Sequence, residues 1–164
     1  MNRKLLGTYL NDHLAGATMG VELARRARGS NEGTEYGEVL DRIAREIDED
    51  RQALQELMGR LEIRRDYPKV AFGWIAEKVG RLKPNGQLTG YSPLSRLIEL
   101  EALALGITGK LSLWEALSEV ADDDSRIDRA QLSQLSQRAE RQRTDVWRMR
   151  QRAAREALSA KAPA

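Results

Sequence analysis

The stretch Gly29-Ser30-Asn31-Glu32-Gly33-Thr34 decides the fold. Two glycines around small polar residues make a turn, and on both sides of it apolar residues recur at alternating steps of four and three, the spacing of one helix face. Upstream, within a helix expected over residues 4–28, the face reads Leu6, Leu10, His13, Ala17, Gly20, Ala24. Downstream, Thr34 offers an N-cap oxygen, and Glu35 and Glu38 favour the positive end of a second helix. That helix is expected over 35–62, with the face Ile43, Ile47, Asp50, Leu54, Leu57, Leu61. Helices joined by so short a turn run antiparallel, and both climb about 1.5 Å per residue, so positions whose numbers sum to about 63 share a height. His13 and Asp50 satisfy that sum, and each is the polar interruption of its own face. They are expected to meet inside the hairpin, with Glu46 and Tyr9 at the edge of the same layer.

Farther out, Ser92-Pro93 reads as a helix start, a capping serine followed by proline where its missing N–H costs nothing. The third helix is expected over 93–120, with Gly106 to Gly109 as its weak point. Asp122-Asp123-Asp124-Ser125 is expected to turn the chain and cap a final helix over 127–158, whose face reads Leu132, Leu135, Ala139, Gln142, Val146. Between the two hairpins lie residues 63–92, with a short helix of their own over 69–82. A connection that long can run the length of a bundle. The fold class is therefore all-α: one antiparallel four-helix bundle over residues 1–160, with a helix-containing crossover between helices 2 and 3 and a disordered tail at 161–164.

This layout, with the blocks Tyr9-Leu-Asn-Asp-His13, Glu49-Asp-Arg51 and Leu105-Gly-Ile-Thr-Gly-Lys-Leu111, resembles uncharacterised bacterial proteins of ferritin-like type. The resemblance implies ferritin-like connectivity. Di-iron members of that fold use a Glu from each of two helices and Glu-x-x-His from each of the other two. This sequence has no Glu-x-x-His and a single histidine. The family's ligands therefore do not transfer, and a complete di-iron centre is not expected.

Two readings of the inner polar layer follow. In the first, His13 donates to Asp50 and the pair fixes hairpin register, as one buried polar residue does in a coiled coil, with Gln142 in the same layer and Arg143 beside it. In the second, His13, Asp50 and Glu46 hold one iron, manganese or zinc ion. A carboxylate of the second hairpin would complete that site, Glu101 if the third helix breaks near Gly106.

Composition narrows the function further. The 164 residues contain no cysteine, which excludes disulfides, thiol catalysis, iron–sulfur clusters and cysteine-ligated zinc. No apolar run is long enough to span a membrane and no signal-peptide pattern opens the chain, so a cytoplasmic location is expected. Residues 32–62 carry ten acidic and four basic side chains, whereas 138–161 carry eight basic and three acidic. Opposite charge on separate helices points to neighbours within a bundle or across a dimer. The basic residues of the last helix point all around its axis rather than along one stripe, so nucleic-acid binding is not expected. The segment 69–82 is basic and amphipathic, which suits either capping of the bundle or contact with a membrane surface. Capping is favoured, and Trp74 is singled out for contact with a protein partner. No catalytic residues or cofactor are assigned. The expected role is a non-enzymatic interaction or scaffold bundle that homodimerises or docks another protein; the alternative is a metal- or small-ligand-binding bundle using His13, Asp50 and Glu46.

Overall fold

The computed structural model describes residues 2–66 and 91–159. These residues contain no strand and four long helices: α1 (Arg3–Ser30), α2 (Glu35–Arg60), α3 (Pro93–Glu119) and α4 (Arg129–Leu158), with a 3-10 turn at Ala121–Asp123. The helix expected over 69–82, Trp74 and the 161–164 tail lie outside the described residues.

Local chemistry sets the helix ends. Asn2 caps α1 by accepting the Leu5 N–H, and Ser92 caps α3 by accepting that of Ser95, with Pro93 in the first turn. The start of α4 differs from expectation, because Asp128 accepts the N–H groups of Ala130 and Gln131, while Asp124 is taken by the backbone and guanidinium of Arg126. Thr34 stands at the N-cap of α2 without capping it; its hydroxyl donates to the Asn31 carbonyl at 2.7 Å. At the other end of α2, Glu62 adopts a left-handed φ of 55°. The N–H of Glu62 bonds the Gly59 carbonyl and that of Ile63 bonds Met58, which is the Schellman arrangement that usually takes glycine. Arg3 and Arg126 hold the Glu62 carboxylate there.

Helix α3 runs unbroken through Gly106 and Gly109. That continuity leaves Glu101 exposed, correcting the inward placement considered for a broken helix. Packing joins α1 to α2, α3 to α4 and α1 to α3, while α2 meets α4 more sparsely. The core divides into two apolar clusters. One holds Leu40, Ile43, Leu100, Leu103, Val146 and Ala153; the other holds Leu10, Leu14, Leu54, Leu57, Trp114 and Leu117. Each fully buried leucine contributes about 1.5–3 kcal/mol. Arg3 donates to the Leu61 carbonyl at 3.0 Å, so α1 starts where α2 ends. Asn31 donates to the Tyr91 hydroxyl at 2.9 Å, so α3 starts beside the turn between α1 and α2.

Gly37 gives this turn a sharp test. A Cβ at Gly37 would stand 2.5 Å from the Asn31 carbonyl oxygen. Helix propensity alone would reward Gly37→Ala by about 1 kcal/mol, but the obstacle is backbone and cannot swing aside. The variant is expected to lose about 1–2 kcal/mol net, read as a lower urea midpoint at unchanged slope. A raised midpoint would show that the turn yields.

Candidate functional site

Between the two apolar clusters the interior is polar. Asp50 of α2 is 1% exposed and Gln142 of α4 is fully buried. Two charges converge on the carboxylate: the Lys110 ammonium from α3 on Oδ2 and the Arg138 guanidinium from α4 on Oδ1. Lys110 also donates to Gln142 Oε1 at 2.5 Å. Gln142 in turn donates to Glu46 Oε2 at 2.9 Å, and Arg42 bridges Glu46 to Asp145 at 3.1 and 2.6 Å. Arg138 reaches outward to Glu49 at 2.7 Å. One network thus ties α3 to α2 and α4, two helices that pack sparsely on each other. Burial pushes the Lys110 ammonium below its ordinary pKa, against the pull of Asp50.

The expected pairing of His13 with Asp50 is corrected. Both residues line one cavity, but the carboxylate is engaged by Lys110 and Arg138. His13 is half-buried, its ring edge-on to Tyr9 at 4.5 Å, and burial holds its pKa below the usual value. The reason is reach and charge: a lysine stem carries a full charge from α3 into the core, whereas a half-buried imidazole resists protonation. The signal for Lys110 was present in Leu103, Ile107, Lys110, Trp114, Leu117, which repeats the four-and-three steps of an inward face. Arg138 likewise stands three after Leu135 and four before Gln142. Arg143, by contrast, pairs with Glu140 on the surface at 2.7 Å.

Glu46 joins Gln142, but His13, Asp50, Glu46 and Glu101 do not converge. Among the described residues no three His, Cys, Asp or Glu side chains are grouped as a metal would need. The residues present do not fit a di-iron centre: the ammonium between Asp50 and Gln142 stands where a cation of the bundle interior would have to bind, and it would repel one.

A cavity of about 420 Å³ opens between α1 and α3. Gly16, Ala17 and Gly20 form one wall and Ala102, Gly106 and Gly109 the other, with Lys110 and Trp114 among the inner residues. A Cβ at Gly16, Gly106 or Gly109 would meet nothing within 4 Å. Close helix packing therefore does not account for these glycines, each of which costs an interior helical position about 1 kcal/mol relative to alanine.

A second polar cluster lies at the turn end. Glu99 is fully buried, held by Arg26 at 2.9 Å and the Tyr91 hydroxyl at 2.8 Å, and burial raises its pKa. Arg96 donates to Asn31 at 2.6 Å and Glu156 at 2.8 Å and stacks 4.5 Å over the Tyr36 ring. Burial and a 3.0 Å hydrogen bond donated to Glu156 push the Tyr36 hydroxyl up to about 12. The unfolded chain loses that proton near pH 10, before the folded one does, so the stability it contributes is complete below pH 10 and is lost between pH 10 and about 12. Tyr36→Phe is expected to flatten the fall of the urea midpoint across that window. An unchanged slope would show that Tyr36 ionises as it does in the unfolded chain.

No helix among the described residues is long and apolar enough to cross a membrane. Comparison with protein-family models, with curated proteins and with solved structures finds no match to this chain.

Proposed function

We propose that the chain is a non-enzymatic helical bundle of ferritin-like connectivity that works as an interaction or scaffold protein, by self-association or by docking another protein. One observation carries the non-enzymatic half of this reading: the centre of the bundle is occupied by its own cation, Lys110, set between Asp50 and Gln142. Connectivity is supported by the helix ends. The chain leaves α2 beside the start of α1 and enters α3 beside the α1–α2 turn, a separation of about one helix length, about 40 Å. An interaction role is supported by large apolar side chains left in solvent, Trp147 at 49% and Leu105 at 76% exposure among them, since exposed tryptophan favours protein contact.

The metal-binding alternative is tested directly. Protein purified without chelator, and again after dialysis against iron, manganese or zinc salts, is expected to carry none of them at stoichiometric amounts by elemental analysis. One tightly held ion per chain would overturn the reading.

A further inference from the structure

Both ends of the connection between α2 and α3 are tied to α1. Where it begins, the N–H of Asp66 donates to Asn11 Oδ1 at 2.7 Å and the Asn11 amide donates to the Arg64 carbonyl at 3.0 Å. Ile63 lies one turn lower, where a Cβ at Gly7 would stand 3.8 Å from its Cγ2. The chain therefore leaves α2 climbing α1. Where it ends, Tyr91 accepts from Asn31, the C-cap of α1, at 2.9 Å and donates to Glu99 of α3 at 2.8 Å. Asn11 and Asn31 are about 30 Å apart along α1. The apolar groove between α1 and α3 lies along the same rise, lined from Tyr9 to Leu23 on one helix and from Ala102 to Trp114 on the other.

We propose that the occupant of this groove is the chain's own residues 67–90, seated there by the apolar face Phe72, Ile75, Val79, Leu82. Length and end points carry the proposal. Residues 67 through 90 number 24. A helix over 69–82 covers about 21 Å, and the other ten residues reach about 3.3 Å each when extended, so a path along the groove is spanned with slack. A path over α4 would turn away from both anchors.

Complementarity agrees with this path. The four apolar residues recur at steps of three, four and three, which is one helix face, and Leu23, Leu103, Ile107 and Leu113 give the groove an apolar bed. Lys69, Lys78, Arg81 and Lys83 outnumber Glu77 in the same stretch, and Asp12 stands in the lining, a pairing of opposite charge. Tethering decides between occupants. A segment fixed at both ends beside its groove is present at an effective concentration on the order of millimolar, which a second copy or a separate protein has to exceed. The proposal concerns how the chain completes its own fold and stands apart from any partner that the bundle docks.

Because the sequence has no cysteine, one can be introduced to carry a nitroxide in the full chain. Leu105 is exposed and stands three residues after Ala102 and four before Gly109, both in the groove lining, so Leu105→Cys places the label at the rim. Gln134→Cys places it on α4 beside Arg60 and Arg126. In isotope-labelled protein the amide signals of residues 72–82 are expected to broaden under the first label and to stay sharp under the second. They are also expected to stay sharp when isotope-labelled chain without nitroxide is mixed with nitroxide-bearing chain. Broadening in that mixture would put a second copy in the groove and overturn the proposal. Sharp signals under the Leu105→Cys label, or equal broadening under both labels, would overturn it too. Phe72→Asp combined with Ile75→Asp is expected to reduce the broadening several-fold, and full broadening in that variant would overturn the assignment of the seated face. If the variant misfolds, the two labels on the otherwise unchanged chain still decide the question.

Discussion

Asp50→Ala is expected to lower the unfolding free energy by about 3–5 kcal/mol, the largest loss of any single polar substitution in the bundle. The carboxylate is 1% exposed and is the meeting point of Lys110 and Arg138. Removing it leaves the Lys110 ammonium, whose side chain is only 13% exposed, with Gln142 as its remaining partner. Arg138 can still reach Glu49 at the surface, so the loss falls mainly on Lys110. Asp50→Leu together with Lys110→Met removes both charges and fills the space with apolar volume. Such exchanges of a buried pair are often neutral or better. The double variant should therefore be more stable than Asp50→Ala, an ordering that simple counting of lost contacts would not give. Chemical denaturation of the three proteins reads it.

Asn31→Ala is expected to cost about 2–3 kcal/mol, for a different reason. Asn31 is 1% exposed and links three elements: its amide donates to the Ala27 carbonyl at 2.7 Å and the Tyr91 hydroxyl at 2.9 Å, and its oxygen accepts from Arg96 at 2.6 Å. Truncation takes one partner each from the Ala27 carbonyl, the Tyr91 hydroxyl and Arg96, and a buried bond lost in this way costs about 1–3 kcal/mol. Arg96 keeps Glu156, which holds the total to the lower end of that sum. Asn31→Asp should cost less, because it keeps the acceptor for Arg96. Equal losses in the two variants would show that the Arg96 contact contributes little.

The all-helical fold with four long helices was legible because apolar periodicity and turn chemistry agree. The inward face of α2 and the start at Ser92-Pro93 stand where the residues imply, whereas α1 runs on through Gly29 and Ser30, leaving the turn to Asn31–Thr34, and buries Leu14, Val21 and Ala27 where His13, Ala17 and Gly20 were expected. The start of α4 was misread because three consecutive aspartates compete for the role of cap, and only the geometry shows Asp128 taking it. The polar layer was half legible. Asp50 and Gln142 interrupt apolar stripes and are buried, but Lys110 was passed over although it stands on an equally regular stripe. Long charged side chains are ordinarily assigned to solvent, so a single lysine on an inward face carries little weight until its partner is known. Glu99 escaped for the same reason, its partners Arg26 and Tyr91 being distant in sequence. The cavity was not legible at all. Gly106 and Gly109 read as weak points in a helix, yet α3 runs through both unbroken.

The central claim is that the bundle's polar centre is held by its own charges, above all the contact of Lys110 with Asp50. A double-mutant cycle on Asp50→Leu and Lys110→Met, followed by urea denaturation, tests it most directly. The account predicts a coupling of about 2 kcal/mol or more between the two sites, with the double variant more stable than the sum of the single losses allows. Effects that add to within about 0.5 kcal/mol would show that the two residues do not depend on each other, and would contradict it.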